Sequence, residues 1–188
     1  MIRKYLVLGF LFLLALTAAC REVAVADGDK ALFVTVRELA PYGYTFERPE
    51  KYETFKKTYF YDDTYQIEYE FEAPEEQKSK SLYLSESISI GNDESDARFI
   101  KSSEEWVISF GLKAGGLQTE EKKGFYSYGD NSAFYVLKED GRPVGNYFTT
   151  RIGKKSFSFL IAGKYIDDVT FWREVVEPRL ETFKSYTP

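Results

Sequence analysis

In 188 residues the chain has no histidine, one cysteine and one methionine. Each absence excludes a chemistry. Without histidine there is no Ser-His-Asp or Cys-His catalytic arrangement, no Cys/His zinc site and no imidazole switch near neutral pH. One cysteine cannot close an internal disulfide, so packing alone must hold the chain. Basic residues are also in deficit, with Lys+Arg 25 against Asp+Glu 30. That balance argues against nucleic acid as a partner, which needs a basic footprint. Neither a repeat period nor a low-complexity tract is present.

The lone cysteine takes its meaning from its place. Arg3 and Lys4 give a positive start, Tyr5 to Leu16 form an apolar run broken by Gly9, and Thr17, Ala18 and Ala19 are small. That order is a secretory signal peptide, and its run is shorter than the about 20 residues of a membrane-spanning helix. Leu16-Thr17-Ala18-Ala19-Cys20 resembles the bacterial lipobox, in which the cysteine sulfur receives a diacylglyceryl group and becomes the mature N-terminus. Ordinary cleavage near Ala19, leaving a spare thiol, is the alternative. A lone exposed thiol in an oxidising compartment is a liability, which favours the lipid. The expected organisation is a signal peptide over 1–19, Cys20 as lipid attachment, a tether over 20–30 and one domain over 31–188. The expected location is the bacterial cell envelope, lipid-anchored and facing periplasm or lumen. Arg21 in place of an aspartate points to the outer membrane where the host has one.

Aromatic residues are what the chain has in plenty, 16 Phe and 15 Tyr, and rings bury large areas. Ala31 to Arg37 is β-branched and aromatic, and reads as a strand ended by Pro41 and Gly43. Phe55 to Tyr61 and Thr64 to Glu72 read as a hairpin turning at Asp62-Asp63. In its second arm Tyr65, Ile67, Tyr69 and Phe71 alternate with Gln66, Glu68, Glu70 and Glu72, one face packed and one wet. The acidic face is a candidate docking stripe for a basic partner. The blander reading is a solvated face that keeps an edge from aggregating.

Ala73 to Ser79 is a polar loop and Leu82 to Ile90 another alternating strand. A helix follows, capped at Asn92-Asp93 and stopped at Gly115-Gly116. Its apolar stripe is Ala97, Ile100, Val107, Gly111 and Ala114, widened by Phe110. Trp106, on the stripe's flank, is expected to pack; as a binding residue it is the sharper alternative. Ala133 to Lys138, Val144 to Ile152 and Lys155 to Ala162 form a meander with turns at Asp140-Gly141 and Gly153-Lys154. Two-residue loops would pair Leu137 with Val144 and Phe148 with Phe159. Tyr135, Phe148, Phe157, Phe159 and Ile161 would then share one face, and Phe134, Val136, Tyr147 and Leu160 the other. Asp167-Asp168 caps a last helix whose stripe is Val169, Trp172, Val176, Leu180 and Phe183, with a kink expected near Val176 from Pro178. The class is α+β, an antiparallel sheet covered by helices on both faces.

Three stretches carry a resemblance. Tyr44-Thr45-Phe46-Glu47-Arg48-Pro49-Glu50-Lys51-Tyr52 is similar to the aromatic-x-Phe-x-x-Pro-x-x-aromatic opening of the PsbP-like family. The meander from Phe134 to Ile161 and the ending from Trp172 to Tyr186 follow the same family pattern. The resemblance implies an α/β/α sandwich and a non-catalytic module. Members are extrinsic photosystem accessory or assembly proteins, cofactors of small GTPases, envelope lipoproteins, or adaptors for secreted effectors. The metal-binding histidines of some plant members have no counterpart here, so no metal or other cofactor is expected.

Carboxylate clusters remain at Asp62-Asp63, Asp93/Asp96, Glu104-Glu105, Glu120-Glu121 and Asp167-Asp168, none with EF-hand spacing. Turn and cap duty accounts for Asp62-Asp63 and Asp167-Asp168. The functional expectation is a non-catalytic accessory or adaptor lipoprotein that binds an envelope protein partner, with Glu68, Glu70, Glu72 and Trp106 as candidate contacts. One alternative is a carrier of a small apolar ligand in an aromatic-lined pocket; a carboxylate-dependent hydrolase is the more distant one.

Overall fold

Alternating apolar and polar residues put one face of each strand into the core, and that pattern builds one eight-stranded antiparallel sheet. The computed structural model describes residues 20–60, 64–74 and 81–187. Its strands are β1 (Arg21–Val23), β2 (Glu53–Tyr59), β3 (Tyr65–Glu72), β4 (Tyr83–Ile90), β5 (Gln118–Glu121), β6 (Asn131–Glu139), β7 (Arg142–Ile152) and β8 (Lys155–Ala162). They lie in the order β1-β2-β3-β4-β8-β7-β6-β5. The helices are α1 (Asp27–Lys30), α2 (Glu94–Ala114), α3 (Val169–Phe171) and α4 (Glu177–Ser185), α3 and α4 being joined by a π-helical stretch, Trp172–Val176. The fold is thus mixed α+β. No described helix is long and apolar enough to cross a membrane.

One sheet face carries Tyr69, Phe159, Phe148 and Phe134 in a cross-strand row. Trp172 lies edge-on to Phe134, ring centroids 4.8 Å apart, and to Phe159 at 5.3 Å. Val176, Leu180 and Phe183 are fully buried in the same cluster, so Val169–Ser185 packs its expected stripe here. The helix changes its hydrogen bonding where the break was expected: the π-helical stretch ends at Val176 and α4 starts anew at Glu177, which leaves Pro178 within the first turn of α4, where a missing N–H costs nothing. Lys155 donates to the carbonyls of Phe183, Lys184 and Tyr186 and so satisfies the open end of α4.

The Gly153-Lys154 turn sets Ile152 opposite Lys155 and Phe148 opposite Phe159, as expected. The face assignment of β6 is different. Asp140 and Gly141, both at positive φ, make the expected two-residue turn. The register then shifts between Leu137 and Lys138, so that Leu137 meets Gly145 and not Val144. A bulge of one residue flips every side chain beyond it. Phe134 and Val136 therefore join the Phe148 face, while Tyr135 stacks on Tyr147 on the other.

Two further expectations are corrected. Ala31 to Arg37 is not a strand: its backbone turns, and a 3₁₀ helix runs over Val36–Tyr42. Leu32, Phe33, Val34 and Val36 are all buried, so the composition signalled burial and not extension. Side chains take the place of a strand partner there. Val34 N–H donates to Glu86 Oε2 at 3.2 Å and Val36 N–H to the Tyr69 hydroxyl at 2.9 Å. Residues 20–30 are likewise folded, since β1 pairs with β2 and Asp29 is buried against Lys57 and the Tyr186 hydroxyl. The Asp62-Asp63 turn and signal peptide lie outside the described residues, as does most of the Ala73–Ser79 loop.

Candidate functional site: the outer face of the long helix

Asp93 caps α2 by accepting from the N–H groups of Ser95 and Asp96, and Gly116, at φ 84°, ends it. Between these stops the fully buried face overlaps the expected apolar stripe only at Ala97 and Gly111. Ala97, Lys101, Gly111 and Leu112 are the buried residues. At the C-terminal end Leu112 and Ile108 pack with Tyr147, Leu160 and Leu137.

Further toward the N-terminus the sheet beneath is polar. Ser87 and Ser158 face each other there, Ser89 faces Ser156, and Glu68 faces Ser87 across β3 and β4. A polar floor calls for polar helix residues, and α2 supplies Glu104. Its Oε1 accepts from Ser89 Oγ at 3.0 Å, Ser87 Oγ at 3.1 Å and Gln66 Nε2 at 3.3 Å. Its Oε2 has no partner. Burial pushes the Glu104 carboxyl up to about 7, although the serine hydrogen bonds pull the other way. Burial, reinforced by Glu70, likewise takes Glu68 to about 7.

The inward face is committed to this seat, and the three aromatic residues of α2 point outward. Phe99 is 74% exposed, Trp106 67% and Phe110 61%. Trp106 and Phe110, one turn apart, stack with centroids 5.7 Å apart and planes at 13°. The expectation that Trp106 packs in the core is therefore wrong. Ala97 and Gly111 of the expected stripe are buried and Ile100 and Val107 half-buried, but Phe110 and Ala114 are exposed, because the serine-rich strands β4 and β8 offer no apolar bed at mid-helix. Beyond Ser95 the exposed residues of α2 are Arg98, Phe99, Ser102, Trp106, Phe110, Lys113 and Ala114, with no acid among them. Phe99 was missed; its spacing of seven from Trp106 was the available signal.

The acidic stripe lies elsewhere. Glu68 and Glu70 are half-buried on β3, an interior strand between β2 and β4, and are not an edge. Glu70 accepts from the Tyr83 hydroxyl at 3.0 Å, and Glu72 is exposed at the strand's end. Glu68 and Gln66 sit on the sheet face that carries α2 rather than with the exposed rings. Cys20 lies immediately before β1 and is in no disulfide. Among the described residues no group of three or more Asp, Glu or Cys is placed to hold a metal ion. A groove of about 410 Å³ runs past Leu117, Val144, Gly163 and Tyr165.

Comparison with protein-family models, curated proteins and solved structures found no match to this chain.

Proposed function

We propose that this chain is a lipid-anchored, non-catalytic accessory protein of the bacterial envelope that works by binding a protein partner through the outer face of α2. The observation that carries the reading is the exposed row Phe99, Trp106 and Phe110. Solvent-facing aromatics cost hydration and are enriched at the centres of protein interfaces. Stacking holds the Trp106 and Phe110 rings in place before binding, which lowers the ordering cost of a contact. The arrangement of α2, the sheet and the terminal helix is consistent with the α/β/α sandwich of PsbP-like proteins, in which helices cover both sheet faces.

The carrier alternative draws less support. Its rings would have to enclose a space, whereas Trp172 is in ring contact with Tyr126, Phe134, Phe148, Phe159 and Phe171. A hydrolase based on Glu68 and Glu104 is also disfavoured, because Glu104 is held under α2 by three donors.

A photo-crosslinking residue in place of Ser103, beside Trp106, tests the reading in intact envelopes. The expected product is a protein–protein adduct; adducts to lipid alone would overturn it. Cys20→Ser tests the anchor, with loss of lipid labelling and release from the membrane fraction expected. Unchanged labelling and fractionation would refute lipidation at this residue.

A further inference from the structure

The outer face of α2 is written in the period of a helix–helix seam. Ser95, Phe99, Ser102, Trp106, Ser109 and Lys113 follow at alternating steps of four and three residues, the spacing that keeps one stripe against a partner helix. Large and small side chains alternate along it. We propose that this seam pairs antiparallel with α2 of a second copy of the chain. The proposal rests on the reading of α2 as a protein-binding surface and names the partner.

An antiparallel pair centred on residue 104 sets Phe99 opposite Ser109 of the second copy and Trp106 opposite its Ser102. Each bulky ring then meets a small side chain, and by symmetry each layer occurs twice. Parallel pairing would set Phe99 on Phe99 and Ser102 on Ser102, alternating overlap with void. The ends match as well. Lys113 falls opposite Ser95, between Glu94 and Asp96, so the basic end of one helix meets the acidic end of the other. An antiparallel pair also opposes the two helix dipoles favourably.

The position of α2 on the sheet fits two copies on one membrane. Its first turn lies at the strand ends marked by Arg151, which pairs with Glu94 at 3.2 Å. Its last turn lies at the other end, where Leu112 packs near Leu137 and Ala162. The helix therefore runs along the strands, and the two-fold axis of the pair runs across them. Rotation about that axis keeps both β1 edges, and both Cys20 residues, on the same side.

Sedimentation of the full-length chain in detergent, over a range of concentrations, tests the pairing. The parent is expected to dimerise. Ser102→Trp and Trp106→Ser are each expected to weaken association by about tenfold or more, because one puts ring on ring and the other removes the ring. Both side chains are exposed, so at dilutions where the parent too is monomeric the melting temperature should stay with the parent's. Ser102→Trp combined with Trp106→Ser restores one ring and one serine to each layer, and the dimer should return. A parent that is monomeric throughout, or a double variant no better than the single ones, would overturn the proposal. The Ser103 photo-crosslinker separates the two levels. Adducts to a different protein alone would end the self-pairing and leave the protein-binding reading standing; adducts to lipid alone would end both.

Discussion

Phe148 and Phe159 face each other across β7 and β8 with no exposed surface on either ring. Phe159→Ala is expected to cost about 3–5 kcal/mol in chemical denaturation. Ser158→Ala, on the opposite face, should cost about 1 kcal/mol or less. Equal small losses would mean that the register is wrong. Glu104 makes a second test at this scale. Its carboxyl sits at about 7 in the fold and near the ordinary carboxylate value of about 4.3 when unfolded. The folded chain therefore binds more protons between those values, and stability falls as pH rises through that window. Glu68 works in the same direction. Acidifying from pH 8 to about 5.5 should raise the melting temperature, with Glu104 contributing about 1–2 kcal/mol. Glu104→Gln should be more stable than the parent at pH 8 and show a flatter profile. A parent that loses stability steadily from pH 8 downward would contradict the raised carboxyls.

At the scale of elements, regular periods were legible and local exceptions were not. The β2–β3 arms, β4, both turns of the meander and the cap of α2 could all be read from alternation, Gly and Asp. The β6–β7 bulge could not; it falls beside Gly145, where the backbones of β7 and β8 come close. A Cβ at Gly145 would lie 2.2 Å from the Ile161 carbonyl oxygen, so only glycine fits where β7 passes β8. Gly145→Ala is expected to destabilise by about 1–3 kcal/mol in denaturant; a neutral result would mean the strands separate there. The inward face of α2 was misread for a related reason. Which side of a helix packs depends on what lies below it, and the serines of β4 and β8 made that bed polar. Ala31 to Arg37 shows the same limit: its apolar side chains go inside, but Glu86 and Tyr69 serve its N–H groups where a strand would have.

At the scale of the molecule, the two ends of the described chain are tied together and the middle helix is left facing out. Burial alone would raise the Asp29 carboxyl, yet hydrogen bonds from Tyr186 and Lys57 hold it below its ordinary value, joining the first turn of the domain to its last residues and to β2. The candidate site was half legible: Trp106 was singled out by type, while its exposure depended on the polar seat beneath it. The two tryptophans now report on separate claims, since Trp172 is fully buried and Trp106 is not. Hydroxyl-radical footprinting with mass spectrometry, comparing intact envelopes with dilute purified chain, tests the outer face of α2 most directly. The account expects Trp172 to stay unlabelled in both, and Trp106, Phe99 and Phe110 to be labelled when dilute and protected in the envelope. Equal labelling of those three rings in both samples would contradict it.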